Sequence, residues 1–372
     1  MRCLFITETV KKEQSRHRML NYIHEKFGQN NIEFNILAFM ESDDELILSD
    51  SGLIAPTECL GKSWYERGSL YKFYSTMRSY RPEILLIGGY GWMENWIALV
   101  YSIVNKIPVI LWTGAGEQTT LSRSYVRVLL KRLFVSNIDT AVTYGSNATQ
   151  YLIKLGMDPS KINQAVNVSN VDFFKKALAE YSDTEEMNSN LKGLSKPILV
   201  FVGKLELLKG VNLLIEQLKL IPQDKYFCYF IGAGNLSQAI QNSIDKKEIN
   251  AQLLGYLTQA QIAKRLIESD VYILPSLNDP FSRTLSEALA SGCFVLNSKY
   301  DDGSYDLIQE GENGHIFDPK DFDEFKYYMD MITDHRWSRP SRSEISKSLK
   351  YNMGDYGDNV INAVLKSIPT RA

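Results

Sequence analysis

Residues 271–298 read VYILPSLNDPFSRTLSEALASGCFVLNS. VYILPS (271–276) and CFVLNS (293–298) are short apolar runs, and LSEALAS between them places its apolar residues at helical spacing ahead of Gly292. A buried strand, a helix and a second buried strand in close succession make a βαβ unit, and the two strands must then pair in parallel. Asn278, Asp279 and Pro280 break the first strand, and Ser282 or Thr284 can cap the helix that follows.

The same rhythm extends outward. ILVFVG (198–203) and YFCYFIG (226–232) precede this unit, with the helical pattern VNLLIEQLKLI after Gly210. An earlier series comprises CLFIT (3–7), ILLIG (84–88), VILW (109–112) and TAVTYG (140–145). The polar interval Glu180–Lys196 separates the two series and is the expected linker. The pattern predicts an α/β protein of two doubly wound, Rossmann-like domains, 1–190 and 191–349. At roughly 150 residues per domain, the 372 residues agree with two domains. No repeat of 20 to 50 residues is visible, which excludes solenoids and propellers.

Composition narrows the function. Lys plus Arg is 41 against Asp plus Glu at 44, a formal net of −3, which does not suit a protein that neutralises many nucleic-acid phosphates. Cys3, Cys59, Cys228 and Cys293 stand far apart, so neither a zinc site nor a disulfide framework is expected, and the chain fits a reducing compartment. MRCLFITETV moves from a short apolar run straight into Lys11, Lys12 and Glu13 and reads as a first strand rather than a secretory signal. The most apolar stretch, Ile84–Trp112, is interrupted by Glu94, Lys106, Pro108 and several glycines and cannot supply about 20 residues for a membrane span. A cytoplasmic, peripherally membrane-associated protein is expected.

In open α/β sheets ligands bind beyond the carboxyl ends of the strands, and two such sheets facing each other would place a site in the cleft between them. Gly203, Lys204, Lys209 and Gly210 lie between a strand end and a helix start. Their ammonium groups, added to the unpaired N–H groups and dipole of the helix, suit a diphosphate, although two lysines can equally be a solvated surface pair. The chain has no GxxxxGK[ST], and no GxGxxG follows its first strand, which argues against a P-loop and a nicotinamide dehydrogenase. Asp279 and Glu287, eight positions apart, flank the helix start at 281–285. Amides for phosphate and carboxylates for hydroxyls suit a polyhydroxylated anion, while the same charges can merely favour the helix dipole.

Residues 198–319 carry a resemblance. FVGKLELLKG, IGAG (231–234), LLGYL (253–257) and PSLNDPFSRTLSEALASGCFVLNSKYDDGSYDLIQEGENGHIFDP (275–319) resemble, in order, the donor-binding half of the family 4 retaining glycosyltransferases of group 1, which have the GT-B fold. The resemblance implies that Asp279 and Glu287 stand for the family's Glu-x7-Glu pair, and Lys204 and Lys209 for its Arg and Lys on the donor diphosphate. It places Asp279 on the transferred sugar, Glu287 on the ribose, and Gly203, Phe281, Ser282, Arg283, Thr284 and Leu285 around sugar and phosphate, with Tyr256 by the base. It implies transfer of a hexose from a UDP-sugar to a saccharide or lipid-linked acceptor in polysaccharide assembly, without metal or cofactor. By the same resemblance, residues 350–372 cross back to the first domain. A non-catalytic nucleotide-sugar-binding subunit and an epimerase of the same fold are the rival readings.

The first half resembles the family through LWTGAGE, VTYGSNATQYLIKLGMDPSKI and SNVDFF, with two departures. Thr7 to Gln14 contains no glycine, and no histidine lies near Thr113, where Glu117 is the nearest ionisable residue. Gly89, Tyr90, Gly114 and Glu117 are the candidates for the acceptor side, although the glycines can equally be turn residues. His17, His24, His315 and His335 form no HExxH, and Asp43–Asp44 and Asp301–Asp302 form no DxD motif, so no metal site is expected. Between Leu121 and Asn137, Arg123, Arg127 and Lys131 recur every four residues, with Arg132 alongside and Tyr125, Val128, Leu129 and Phe134 on the other face. That is a basic amphipathic helix, suited either to solvent or, helped by Lys11, Lys12, Arg16 and Arg18, to anionic lipid.

Overall fold

Each of the apolar runs quoted above becomes a parallel strand in a computed structural model of the chain, which describes residues 1–8, 14–39, 52–60, 69–117, 124–182, 196–334 and 337–368. The chain divides into two units, Met1–Asn167 with Met353–Ala372, and Val168–Asn352. Among the described residues the first holds a seven-stranded parallel sheet in the order β3-β2-β1-β4-β5-β6-β7. The strands are β1 (Arg2–Thr7), β2 (Glu33–Ala38), β3 (Thr57–Cys59), β4 (Ile84–Gly88), β5 (Val109–Thr113), β6 (Thr140–Thr143) and β7 (Ile162–Gln164). Phe5 of β1 pairs with Ile36 on one side and Leu86 on the other, so the chain order reverses between β1 and β4.

The runs are continuously apolar because both faces of this sheet are covered. Cys3, Phe5, Phe34, Ile110 and Trp112 pack on one face with α1 (Gln14–Gln29) and the helix Met353–Lys366. Leu4, Ile6, Leu85, Ile87 and Leu111 pack on the other with α2 (Ser69–Ser79), α3 (Met93–Asn105), α4 (Tyr125–Val135) and α5 (Ser146–Lys154). The helix Met353–Lys366 therefore belongs to the first unit. Trp112 Nε1 donates to Tyr356 OH at 3.0 Å, Tyr22 OH donates to Asp358 Oδ1 at 2.8 Å, and Gly357 lies so close to the Tyr22 ring that a Cβ there would collide with it.

The second unit begins with α6 (Val171–Ser182) and holds, among the described residues, a six-stranded parallel sheet in the order β10-β9-β8-β11-β12-β13. These are β8 (Ile198–Val202), β9 (Phe227–Ile231), β10 (Ala251–Gly255), β11 (Val271–Leu274), β12 (Phe294–Ser298) and β13 (Gly314–Phe317), interleaved with α7 (Val211–Lys219), α8 (Ser237–Asp245), α9 (Gln259–Glu268) and α10 (Arg283–Ala290). The order reverses between β8 and β11, so the loops leaving these two strands diverge from one point.

The unit boundary falls after Asn167 and not near residue 190 as the linker reading had it. Helix α6 packs on α9 and α10, Ser169 N–H donates to Ser286 Oγ at 3.1 Å, and Lys175 Nζ donates to Leu349 O at 2.7 Å. A polar interval marks where chain is solvated, which need not be where packing partners change. Most of that interval, residues 183–195, lies outside the described residues, as do Lys11, Lys12, Asp43, Asp44, Arg123 and His335. The thiols of Cys3 and Cys293 are free and buried, and burial pushes both up to about 12. No helix among the described residues is long and apolar enough to cross a membrane.

Tyr356 sits 2% exposed, with its ring packed against those of Trp112 and Tyr144. Tyr356→Ala should therefore lower stability by about 3–5 kcal/mol, the range for large aromatic truncations. Asp358→Ala, which removes an exposed hydrogen bond from the same helix, should cost under about 1.5 kcal/mol. Denaturant unfolding followed by tryptophan fluorescence compares the two, and equal costs would show that the helix is not held through Tyr356.

Candidate functional site

The loops that leave β8, β9 and β11 are joined by main-chain hydrogen bonds. Gly203 N–H donates to Ile231 O at 3.0 Å, Leu205 N–H to Ala233 O at 3.0 Å, and Leu277 N–H to Leu208 O at 2.8 Å. Glycine is required at two of the contacts. At Gly210 (φ 68°) a Cβ would collide with Pro275 O, and at Gly232 (φ 133°) with Gly203 O. Lys209 is thereby held beside the end of β11.

Lys209 Nζ pairs with Asp279 Oδ2. Asp279 is 5% exposed, and its other oxygen accepts Phe281 N–H at 3.2 Å. A carboxylate so buried needs partners of this kind. A second buried carboxylate, Asp301, lies alongside. Its Oδ1 accepts from the N–H groups of Ser282 (3.1 Å) and Gly303 (2.9 Å), and its Oδ2 accepts from Asn297 Nδ2 (2.8 Å). The two main chains are tied as well, Asp279 N–H donating to Tyr300 O and Asp302 N–H to Asp279 O, both at 3.0 Å. Burial pushes the Asp301 carboxyl up to about 7, and the like charge of Asp279 adds to the rise.

Helix α10 starts from this knot. Ser282 is its N-cap but makes no capping hydrogen bond. Instead Ser282 Oγ lies 2.9 Å from Thr284 Oγ1, which lies 2.6 Å from Tyr272 OH. The hydroxyl cap expected from Ser282 or Thr284 is thus not made. The amides of Phe281 and Ser282, expected to face a ligand, are taken up by Asp279 and Asp301. Those of Arg283, Thr284 and Leu285 form the first turn, where N–H groups lack an intrahelical acceptor and the helix dipole favours an anion.

Gly203, Lys209, Asp279, Phe281, Ser282 and Thr284 therefore meet at one end of this sheet. Leu285 is fully buried, so only its main chain can meet a ligand. Glu287 stands partly buried one turn into α10, Arg283 partly exposed at its start, and Lys204 exposed one residue beyond Gly203. Tyr256 is 53% exposed and follows Gly255, whose carbonyl accepts Gly232 N–H at 2.8 Å. Sequence reasoning missed Asp301 and Asn297. Asp301 follows β12 much as Asp279 follows β11, a parallel that testing it only as part of a metal motif overlooked.

In the first unit Gly89 turns the chain after β4 with φ 92°, and Lys131 Nζ lies 5.6 Å from the ring centroid of the buried Tyr90. Gly114 packs against the Tyr144 ring, where any Cβ would collide, and Glu117 makes an exposed ion pair with Lys154. Each has a local structural partner. His315 likewise has one, its Nδ1 lying 2.5 Å from Glu310 Oε1 and its ring stacked on Tyr328.

The sequence model of the glycosyl transferases group 1 matches residues 182–350, the stretch that carries this network. Solved GT-B structures cover nearly the whole chain. HepE of Anabaena in complex with UDP and glucose superposes with a TM-score of 0.71 at 14% identity, covering 99% of this chain and 100% of that one. The apo lipopolysaccharide outer core galactosyltransferase WaaB gives 0.72 at 16% identity over the same shares. Residues 182–350 thus match the group 1 glycosyltransferases, and the chain has the GT-B fold. Curated proteins similar to the chain include spore coat protein SA of Bacillus subtilis, 28% identical over 44% of this chain and 45% of that protein. The amylovoran biosynthesis glycosyltransferase AmsK of Erwinia amylovora is 28% identical over 36% of each. These matches span about half the relatives' length or less.

The Asp301 carboxyl predicts a pH dependence of stability. Folded, it keeps its proton up to about 7, whereas its ordinary value is 3.8. Between those values the folded state binds more protons, so this group's contribution to stability falls as pH rises from about 4 to 7. Asp301→Asn should flatten that fall by up to about 1.4 kcal/mol per pH unit. Urea unfolding at pH 4.5, 5.5 and 6.5 measures the slope, and a slope equal to the parent's would place the proton elsewhere.

Proposed function

We propose that the chain is a retaining glycosyltransferase that moves a hexose from a nucleotide-diphosphate sugar, with UDP as the nucleotide, to a saccharide or lipid-linked acceptor in polysaccharide assembly. It works in the cytoplasm at the inner face of a membrane. The observation that carries this reading is the Lys209–Asp279 pair set at the uncapped start of α10. Positive charge and a first helical turn suit the diphosphate, and a carboxylate beside them suits sugar hydroxyls. The complex of HepE with UDP and glucose supports the choice of nucleotide.

In this mechanism the glycosidic C–O bond to the diphosphate lengthens first, and negative charge grows on the departing oxygen. Lys209, Lys204 and the amides of Arg283 to Leu285 stabilise that charge without needing to reorganise. Asp279 accepts hydrogen bonds from the transferred sugar as its ring flattens, while Glu287 holds ribose hydroxyls, which do not change in the reaction. Tyr256 lies by the base. The acceptor hydroxyl attacks from the face of departure, its proton passing to the leaving phosphate, so no protein nucleophile is used. Gly89, Tyr90, Gly114 and Glu117 are assigned to the acceptor side.

Lys209→Ala should reduce kcat by about 100- to 1,000-fold, as for removal of one donor to a developing anion, while free UDP binds more nearly as before. Steady-state rates and calorimetry with UDP test this, and a rate change under about threefold would overturn the role of Lys209. Activity should also survive EDTA, because lysines and amides supply the positive charge at the diphosphate. Loss with EDTA and rescue by Mn2+ would overturn that assignment.

A further inference from the structure

The outer surface formed by α2, α3 and α4 is apolar. On α4, Val126, Leu129, Leu130 and Leu133 are all exposed, at 47% or more. Tyr125 and Leu129, expected from the sequence to face the core, point to solvent, whereas Phe134 is buried. Lys131, expected on the solvated basic face, lies over the Tyr90 and Tyr151 rings and donates to Tyr151 OH at 3.2 Å. On α3, Val100, Ile103 and Val104 are exposed as well. The three helices are neighbours, the Tyr74 and Tyr101 rings holding α2 against α3 with centroids 6.0 Å apart, and those of Trp96 and the buried Phe134 holding α3 against α4 at 5.0 Å. Between α2 and α3 lies a groove of about 420 Å³ lined chiefly by Met93, Trp96, Ile97, Val100 and Val104.

The charge on this surface has one sign. Glu94 is the lone acidic residue of the three helices, and it is 3% exposed, with its carboxyl raised by burial. Lys72, Arg78, Arg127 and Arg132 on the helices, and Lys106 directly after α3, are exposed. Large apolar patches on isolated soluble proteins are uncommon and mark contact surfaces. An aqueous protein partner would gain nothing from uniformly cationic surroundings unless it were acidic, whereas a bilayer of anionic lipid offers both a hydrocarbon boundary and a layer of phosphates.

We propose that the α2–α3–α4 surface docks on an anionic lipid bilayer, with the α3 and α4 aliphatic side chains entering the acyl boundary and the exposed arginines and lysines meeting headgroup phosphates. It rests on the proposed function only in setting the enzyme at a membrane, for the residues lie in the other unit from the donor site. Attachment combines apolar insertion with charge, so salt weakens it without abolishing it.

The full chain is sedimented with sucrose-loaded vesicles of phosphatidylcholine with 30% phosphatidylglycerol, and with phosphatidylcholine alone. The parent should bind the anionic vesicles and bind the neutral ones far more weakly. Leu129→Asp with Leu133→Asp should reduce partitioning by tenfold or more, since burying one leucine is worth about tenfold or better. Arg127→Gln with Arg132→Gln should reduce it by several fold and lower its salt dependence. Circular dichroism confirms that each variant is folded. Leucine variants that sediment like the parent, or a parent that ignores anionic vesicles, would overturn the proposal. Self-association of the parent that the leucine changes abolish would assign the face to a second copy and overturn it too. UDP calorimetry on the same samples separates the two readings: vesicle binding without UDP binding would sink the donor assignment and leave the docking surface standing.

Discussion

Gly210 lies with its Cα against the carbonyl of Pro275, too close for any side chain, and the candidate site depends on that contact. The residue before it is Lys209, and four residues beyond Pro275 is Asp279, so the approach of two loops becomes an ion pair. Parallel strands on either side of a reversal in strand order supply the geometry, because their loops leave one point in different directions. Only main chain can fill the space between them, and the hydrogen bonds of Leu205, Leu208, Ala233 and Leu277 do so.

The start of α10 shows how this framework apportions polar groups. A buried N–H group must find an acceptor, and the amides of Phe281 and Ser282 find theirs in the side chains of Asp279 and Asp301. Burial raises the Asp301 carboxyl, repulsion from the neighbouring Asp279 carboxylate adds to the rise, and Asp279 is matched by Lys209. Burial of Asp301 is tolerable because Asn297 and Gly303 donate to it as well, and Asn297 Nδ2 also reaches Ser304 Oγ at 2.7 Å. The hydroxyls of Ser282 and Thr284 turn toward Tyr272 instead of capping the helix, so the first turn keeps its electrostatic character.

Much of the fold was legible before any coordinates. Runs such as ILVFV and VILWT name buried parallel strands because both sheet faces are covered, and Lys209 and Asp279, which the structure pairs, were singled out from their places beside strand ends and helix starts. The strands Glu33–Ala38, Thr57–Cys59, Ile162–Gln164, Ala251–Gly255 and Gly314–Phe317 were not found. Two of them are three-residue edge strands, too short for a pattern, and EFNILA begins with a charge and contains Asn35. Asp301 was seen but misjudged, since its meaning comes from a bridge to Asp279, 22 positions earlier in the chain.

The amino-acid sequence by itself determined the α/β class, the pair of parallel sheets, the loops that carry the site, and the group 1 glycosyltransferase resemblance. These follow from periodicity and motif spacing, which are local properties. Tertiary structure alone decided that α6 joins the second unit, that the helix Met353–Lys366 packs beside α1, that Lys131 lies over two tyrosine rings, and that Leu129 faces outward. Helical spacing assigns residues to faces of a helix, but an amphipathic helix such as α4 has an apolar sector wider than the core it meets. Which part of that sector is covered depends on distant segments, and no local pattern encodes their arrival.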